Sequence, residues 1–143
     1  SLAPEAMLRA RFAGCRVLVV EDEPINLEVT TSILGEVWPV IDSAVDGVEA
    51  IGKVAARRYD LILMDMQMPR MDGLEATRRL RQHPNGREVP VLALTANAFV
   101  EDRARCLAAG MNDFIAKPVD PEAMYATLLK WLTRDAGPGK HPH

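Results

Sequence analysis

The fold is decided by the stretch Leu61-Ile62-Leu63-Met64-Asp65-Met66-Gln67-Met68-Pro69. Four consecutive apolar residues are typical of a short strand buried on both faces. A loop that contains Pro69 and Gly73 follows this run. If the strand lies in a parallel sheet, Asp65 stands at its carboxyl end, where open α/β sheets bind ligands. The same residue could equally begin a turn, so the rest of the chain must decide between the two interpretations.

Length and composition indicate one soluble globular domain. The 143 residues are enough to bury a core, and 48% hydrophobic with 26% charged residues is ordinary for that class. The net charge of −3 and the lack of a basic run give no support to nucleic-acid binding. No apolar stretch approaches the ~18 residues of a membrane span, and no signal-peptide pattern is present. We therefore expect a cytoplasmic domain without direct membrane contact, whose cysteines, Cys15 and Cys106, are buried or half-buried thiols.

Five short strand patterns alternate with helical patterns along the chain. Strict alternation indicates one parallel sheet with helices on both faces, a doubly wound α/β fold. The second and fifth strands are the weakest and belong at the edges, so the expected order is 2-1-3-4-5, the flavodoxin-like arrangement. The predicted strands are 16–20, 40–44, 61–64, 91–94 and 114–116.

The two ends of the chain lack the alternating strand and helix patterns of its middle. We expect residues 1–14 to be a leader or an interdomain linker, residues 15–133 to form the domain, and residues 134–143 to be a disordered tail. Gly137, Pro138 and Gly139 are typical of such a tail.

Polar residues follow four of the five strands. Glu21 and Asp22 come after the first strand, Asp65 after the third, Thr95 after the fourth and Lys117 after the fifth. Each alone has an ordinary explanation as a helix cap, a turn residue or a surface charge. However, a structural role for one does not predict the others, and the carboxyl ends of parallel strands meet at one edge of the sheet.

Electrostatics indicates what such a cluster would bind. Three carboxylates within about 5 Å repel by roughly 3–4 kcal/mol per pair at an effective dielectric near 20. Lys117 offsets part of this repulsion, and a divalent cation would offset more. A set of oxygen ligands with open positions fits Mg²⁺, which shares itself with phosphate oxygens. These groups together are suited to phosphoryl transfer onto a carboxylate.

Four motifs in this order resemble the receiver domain of two-component response regulators, over roughly residues 15–132. They are Val19-Val20-Glu21-Asp22-Glu23-Pro24, Leu63-Met64-Asp65-Met66-Gln67-Met68-Pro69-Arg70-Met71-Asp72-Gly73, Leu94-Thr95-Ala96-Asn97-Ala98 and Ala116-Lys117-Pro118. The sequences of the first and third motifs look most like those of the C-terminal receiver of a hybrid sensor histidine kinase.

The resemblance implies a role for each matching residue at the acidic site. Asp65 is the expected phosphoacceptor, and Asp22 the expected direct ligand of Mg²⁺. Glu21 acts through a metal-bound water, and the backbone carbonyl of Gln67 is the third protein ligand. Lys117 pairs with Asp65 and with a phosphoryl oxygen.

The resemblance also implies a conformational switch. Thr95 and the N–H of Ala96 bind the phosphoryl group, and Phe114 occupies the position of the switching aromatic residue. Gln67 and Asn97 tune how fast the aspartyl phosphate hydrolyses. The fourth helix, fifth strand and fifth helix of the alternating units would change, and dimers could form through them. The peptide bond before Pro118 is expected to be cis.

The expected function is therefore to accept a phosphoryl group from a histidine kinase or a histidine phosphotransfer domain. Such a domain assists its own phosphorylation and dephosphorylation, while a parent hybrid chain would be a protein-histidine kinase. Three alternatives remain: a stand-alone response regulator, a receiver-like docking module that is not phosphorylated, and an aspartate-nucleophile phosphohydrolase. Phosphohydrolases of that class are expected to carry an Asp-x-Asp pair at the end of the first strand and an inserted cap. In this chain Gln67 stands at the second position after Asp65, and no insertion is long enough to form a cap.

Overall fold

The computed structural model describes residues 3–96 and 100–135. Within these ranges helices and strands alternate as predicted, after an additional helix at the N-terminus. The helices and strands are α1 (Pro4–Arg11), β1 (Val17–Val20), α2 (Pro24–Gly35), β2 (Asp42–Ala44), α3 (Gly47–Ala56), β3 (Leu61–Asp65), α4 (Gly73–Leu80), β4 (Val91–Thr95), α5 (Val100–Ala109), β5 (Asp113–Ala116) and α6 (Pro121–Asp135), with one 3₁₀ turn (Pro84–Gly86).

The five strands form one parallel sheet in the order β2-β1-β3-β4-β5, which confirms the predicted topology. The register pairs Val20 with Met64 and Asp65 with Leu94. Thr95 in turn pairs with Ala116. The carboxyl ends of β1, β3, β4 and β5 therefore lie at the same edge of the sheet.

Helices cover both faces of this sheet, which is why its central strands are apolar without alternation. Every residue of β3 is buried. Ile62 and Met64 belong to the core layer with α3, α4 and α5, whereas Leu61 and Leu63 belong to the opposite layer with α2 and α6. Packing from both sides fixes β3, and with it the position of Asp65.

Carboxylates cap several of the helices that follow the strands. Asp46 accepts a hydrogen bond from the backbone N–H of Glu49 at 2.9 Å, and Asp72 accepts one from that of Glu75 at 2.9 Å. Aspartate is a preferred residue for this capping position. Glu23 caps α2 through the N–H groups of Ile25 and Asn26, just after the acidic pair of β1.

The N-terminal segment is the main departure from the sequence-based expectation. Helix α1 packs against α6, and Leu8 and Phe12 are 0% and 1% exposed. The indole N–H of Trp38 donates a 2.8 Å hydrogen bond to the carbonyl oxygen of Phe12. Residues assigned to a leader or linker thus contribute to the core layer of α6, although a domain boundary at residue 15 stays a prediction.

At the other end, α6 continues to Asp135, beyond the expected domain end at residue 133. The rest of the expected tail lies outside the described residues. None of the helices within the described ranges is long and apolar enough to cross a membrane.

Candidate functional site

Three carboxylates meet at the end of the central strands. Glu21 and Asp22 follow β1, and Asp65 is the last residue of the neighbouring strand β3. One carboxylate oxygen of each residue lies within 4.8 Å of the others. Glu21 and Asp65 are only 1% and 4% exposed, whereas Asp22 is half-buried. The cluster predicted from the strand ends therefore exists, and it opens to solvent on the side of Asp22.

Lys117 enters this cluster from the loop after β5. Its ammonium nitrogen donates a hydrogen bond to Asp65 Oδ1 at 2.8 Å and lies 3.0 Å from Glu21 Oε1. The backbone N–H of Lys117 donates to the carbonyl oxygen of Thr95 at 2.9 Å, which extends the pairing of β4 and β5 to this residue. The peptide bond between Lys117 and Pro118 is cis, as expected.

The ionisation of the site shows how strongly its groups interact. Burial, together with the neighbouring carboxylate of Asp65, raises the pKa of Glu21 to about 7, against the opposing effect of Lys117. Burial lowers the pKa of Lys117, but its contacts with the carboxylates of Asp65 and Glu21 outweigh burial and hold that pKa above its ordinary value. One lysine thus does not fully offset the repulsion between the carboxylates.

The donor set fits a hard divalent cation. Within the described part of the chain, the buried atom Oε1 of Glu21 has no hydrogen-bond partner of good geometry, even though Lys117 is at ion-pair distance. A buried acceptor without a hydrogen bond is unfavourable unless another group satisfies it. The three carboxylates offer only oxygen ligands, and the exposed side of Asp22 leaves room for water, which is the environment that Mg²⁺ prefers.

The loop after β3 folds closely around Asp65. The backbone N–H of Gln67 donates to Asp65 Oδ1 at 3.3 Å, and Gly73 donates to the carbonyl oxygen of Met66 at 3.2 Å. A Cβ atom at position 73 would lie 2.4 Å from the carbonyl oxygen of Asp65, so only glycine allows this approach. Arg70 adopts a left-handed backbone conformation with φ of 68° and pairs with Asp46, which ties the loop to the start of α3.

The remaining expected site residues lie beside this cluster. Thr95 is half-buried at the end of β4, and Ala96 is exposed just after it. Phe114 is half-buried in β5. Thr95 and Phe114 border a cavity of about 570 Å³ that also reaches Met66 and Gln67. Asn97 lies outside the described residues, so its role stays a prediction.

One contact at this cavity was not predicted from the sequence. The guanidinium carbon of Arg103, on α5, lies 4.3 Å from the centroid of the Phe114 ring. The two residues belong to different elements, and neither the helical period of α5 nor the apolar run of β5 signals that they meet. Only the three-dimensional structure, which brings these two side chains together, reveals the pair.

Histidine kinases are among the known proteins to which this chain is similar. A probable histidine kinase of Oryza sativa subsp. indica is 35% identical over 148 residues, and the sensor histidine kinase RcsC of Salmonella typhi is 39% identical over 118 residues. Each alignment covers 82% of this chain, but only 15% and 12% of those proteins, respectively. The chain thus spans a small part of the length of the relatives that it matches.

A solved structure agrees in fold as well as in sequence. The receiver domain of the sensor histidine kinase PA1611 from Pseudomonas aeruginosa PAO1 was crystallised with a magnesium ion coordinated in its active-site cleft. It is 43% identical, with a TM-score of 0.77, and the match covers 83% of this chain and 98% of that one. The family model of the response regulator receiver domain matches residues 17–129. With its parallel sheet and its acidic strand ends, this chain belongs to the family of response regulator receiver domains.

Proposed function

We propose that the domain takes a phosphoryl group from a phosphohistidine onto Asp65 and thereby switches its conformation. The observation that carries this proposal is the position of Lys117, whose ammonium group contacts both Asp65 and Glu21 beside Asp22. A nucleophilic carboxylate, a cation and further oxygen ligands at one point are the groups that phosphoryl transfer requires.

The chemical step uses Asp65 as the nucleophile. One carboxylate oxygen of Asp65 bonds to phosphorus while the bond from phosphorus to the donor imidazole breaks, and the imidazole nitrogen keeps the electron pair. Lys117 holds Asp65 Oδ1 at 2.8 Å, which orients the carboxylate for in-line attack. The same ammonium group then neutralises charge on the transferred phosphoryl oxygens.

Glu21, Asp22, Asp65 and the backbone carbonyl of Gln67 are the groups that would hold Mg²⁺. When bound, Mg²⁺ would supply positive charge to the oxygens of the phosphoryl group in transit. In this scheme Asp22 is a direct ligand and Glu21 acts through a water. The burial of Glu21 Oε1 supports its part, because the ion or its water would satisfy that atom.

Phosphorylation would act through Thr95 and Phe114. The Thr95 hydroxyl and the N–H of Ala96 would bind the phosphoryl oxygens, and the Phe114 ring would move into the cavity beside Thr95. The surface of α5, β5 and α6 would change as a result and could serve for dimerisation. Gln67 is exposed beside Asp65, which suits a role in the lifetime of the phosphate.

The proposed partner is a histidine kinase or a histidine phosphotransfer domain, and the proposed context is a cytoplasmic receiver within a hybrid sensor histidine kinase. The curated relatives support this context, because both are histidine kinases. Ile25 and Val29 are 70% and 46% exposed on α2, which begins next to the acidic cluster. These exposed apolar side chains would suit docking of the phosphodonor near Asp65.

The test is phosphorylation by a small donor. We expect acetyl phosphate with Mg²⁺ to add one phosphoryl group, measured by intact-protein mass, and expect no adduct when EDTA replaces Mg²⁺. Asp65→Asn should abolish the adduct, whereas Glu122→Gln, which removes an exposed carboxylate in the first turn of α6, should not. An adduct that survives D65N, or one that forms without a divalent cation, would contradict the proposal.

A further inference from the structure

The contact between Arg103 and Phe114 lies at the point where the proposed switch would move. The guanidinium carbon is 4.3 Å from the ring centroid, which is within the range of a cation–π interaction. Among the described residues, no carboxylate lies within ion-pair distance of Arg103. Among the described residues, the aromatic ring is a partner of this exposed cation.

The cavity beside the ring gives the contact a consequence. Arg103, Phe114 and Thr95 all border the same space of about 570 Å³. Thr95 also ends the strand next to β3, so this space leads from the ring toward Asp65. Arg103 stands on a helix that is anchored to the core, since Cys106 on α5 is only 1% exposed. In the proposed switch, movement of the ring toward Thr95 would break this contact.

We propose that Arg103 is a positioning residue that holds Phe114 against α5 in the unphosphorylated domain. The inference rests on the proposed function, since it concerns regulation of the same site. A cation–π contact at an exposed position changes an equilibrium by about two- to five-fold. Loss of the positive charge at position 103 should therefore favour the activated conformation by about that factor.

The competing explanation is that Arg103 only covers the ring with its aliphatic stem. The two explanations differ in the effect of charge. Arg103→Gln keeps much of the stem but removes the cation, whereas Arg103→Lys keeps a cation. If the stem alone matters, the glutamine and lysine variants should behave alike.

The experiment measures the affinity of the whole chain for beryllofluoride in the presence of Mg²⁺, by titration calorimetry. We expect R103Q to bind beryllofluoride about two- to five-fold more tightly than the wild type, and R103K to lie between them. The affinity for Mg²⁺ alone should be the same in all three proteins. Arg87→Gln is the matched control, because Arg87 is an exposed arginine in the loop before β4 that contacts no aromatic ring among the described residues.

A double-mutant cycle separates positioning of the ring from a general effect of charge. In a Phe114→Leu background, R103Q should no longer change the affinity for beryllofluoride. Unchanged or weaker binding by R103Q, or an equal gain in the F114L background, would overturn the role of Arg103 alone. Failure of the wild type to bind beryllofluoride would instead refute the proposed function and this inference with it.

Discussion

Substitution of Phe12 by alanine should destabilise the whole domain, although the sequence pattern predicts that this segment is a leader or a linker. Phe12 is 1% exposed, and its carbonyl oxygen accepts the indole hydrogen bond of Trp38 at 2.8 Å. Removal of a fully buried phenylalanine side chain costs about 3–5 kcal/mol in free energy of unfolding. That is a large fraction of the ~5–15 kcal/mol that stabilises an ordinary domain.

Urea denaturation followed by Trp38 fluorescence measures this loss directly. With an m-value of about 2 kcal/mol/M, F12A should lower the midpoint by roughly 1.5–2.5 M. Leu8→Ala removes a second buried side chain of this N-terminal segment and should cost about 2–5 kcal/mol. Because the two residues lie one turn apart in one core layer, their effects should not add.

The matched control is Ala10→Ser, at an exposed position on the same helix, which should change the free energy of unfolding by less than about 0.5 kcal/mol. If F12A unfolds within that margin of the wild type, α1 does not pack against α6 in solution and residues 1–14 are a linker as first expected. A loss for F12A that matches a deletion of residues 1–12 would instead make α1 part of the cooperative unit.

Three further predictions follow from single contacts. In metal-free buffer, the free energy of unfolding should fall as pH rises from about 4.5 to about 7, because the raised pKa of Glu21 means that the fold favours the protonated carboxyl. Urea denaturation at several pH values measures this profile, and Glu21→Gln should flatten it. Gly73→Ala should greatly slow phosphorylation by acetyl phosphate, since its Cβ would lie 2.4 Å from the carbonyl oxygen of Asp65, and an unchanged rate would contradict the close approach. Arg81→Met should lower the free energy of unfolding by about 2–4 kcal/mol, because the Arg81 guanidinium donates hydrogen bonds to three backbone carbonyls and a side-chain amide oxygen. As the control in the same urea assay, Arg79→Met removes an exposed ion pair and should cost under about 1 kcal/mol.

The sheet and the site could be predicted because both depend on local patterns. A strand covered on both faces must be apolar throughout, so the runs that became β1, β3 and β4 stand out in the sequence. A parallel topology then brings every carboxyl strand end to one edge, whatever the details of packing. The convergence of Asp65 with Lys117 followed from that rule alone.

The edge strand β2 was predicted less well. Its pattern suggested residues 40–44, but the strand begins at Asp42, and Val40 is 73% exposed. An edge strand is paired on one side only, so its length depends on its neighbour and not on its own apolar residues. The packing of helix α1 escaped prediction for a related reason. Its burial of Leu8 and Phe12 depends on α6, which lies at the other end of the sequence, and eight residues are too few for a clear period.

The acidic cluster depends on the rigid sheet and core that surround it. Burial raises the pKa of Glu21 because the charged form is unfavourable there, and Asp65 adds like charge beside it. A flexible loop would relieve such repulsion by moving the carboxylates apart. Here Asp65 is the last residue of a strand that is buried on both faces. Glu21 is held in place because its backbone N–H donates a hydrogen bond to the carbonyl oxygen of Ala44. The core thus holds the carboxylates together against their repulsion, and the unsatisfied oxygen of Glu21 marks where a cation would relieve it.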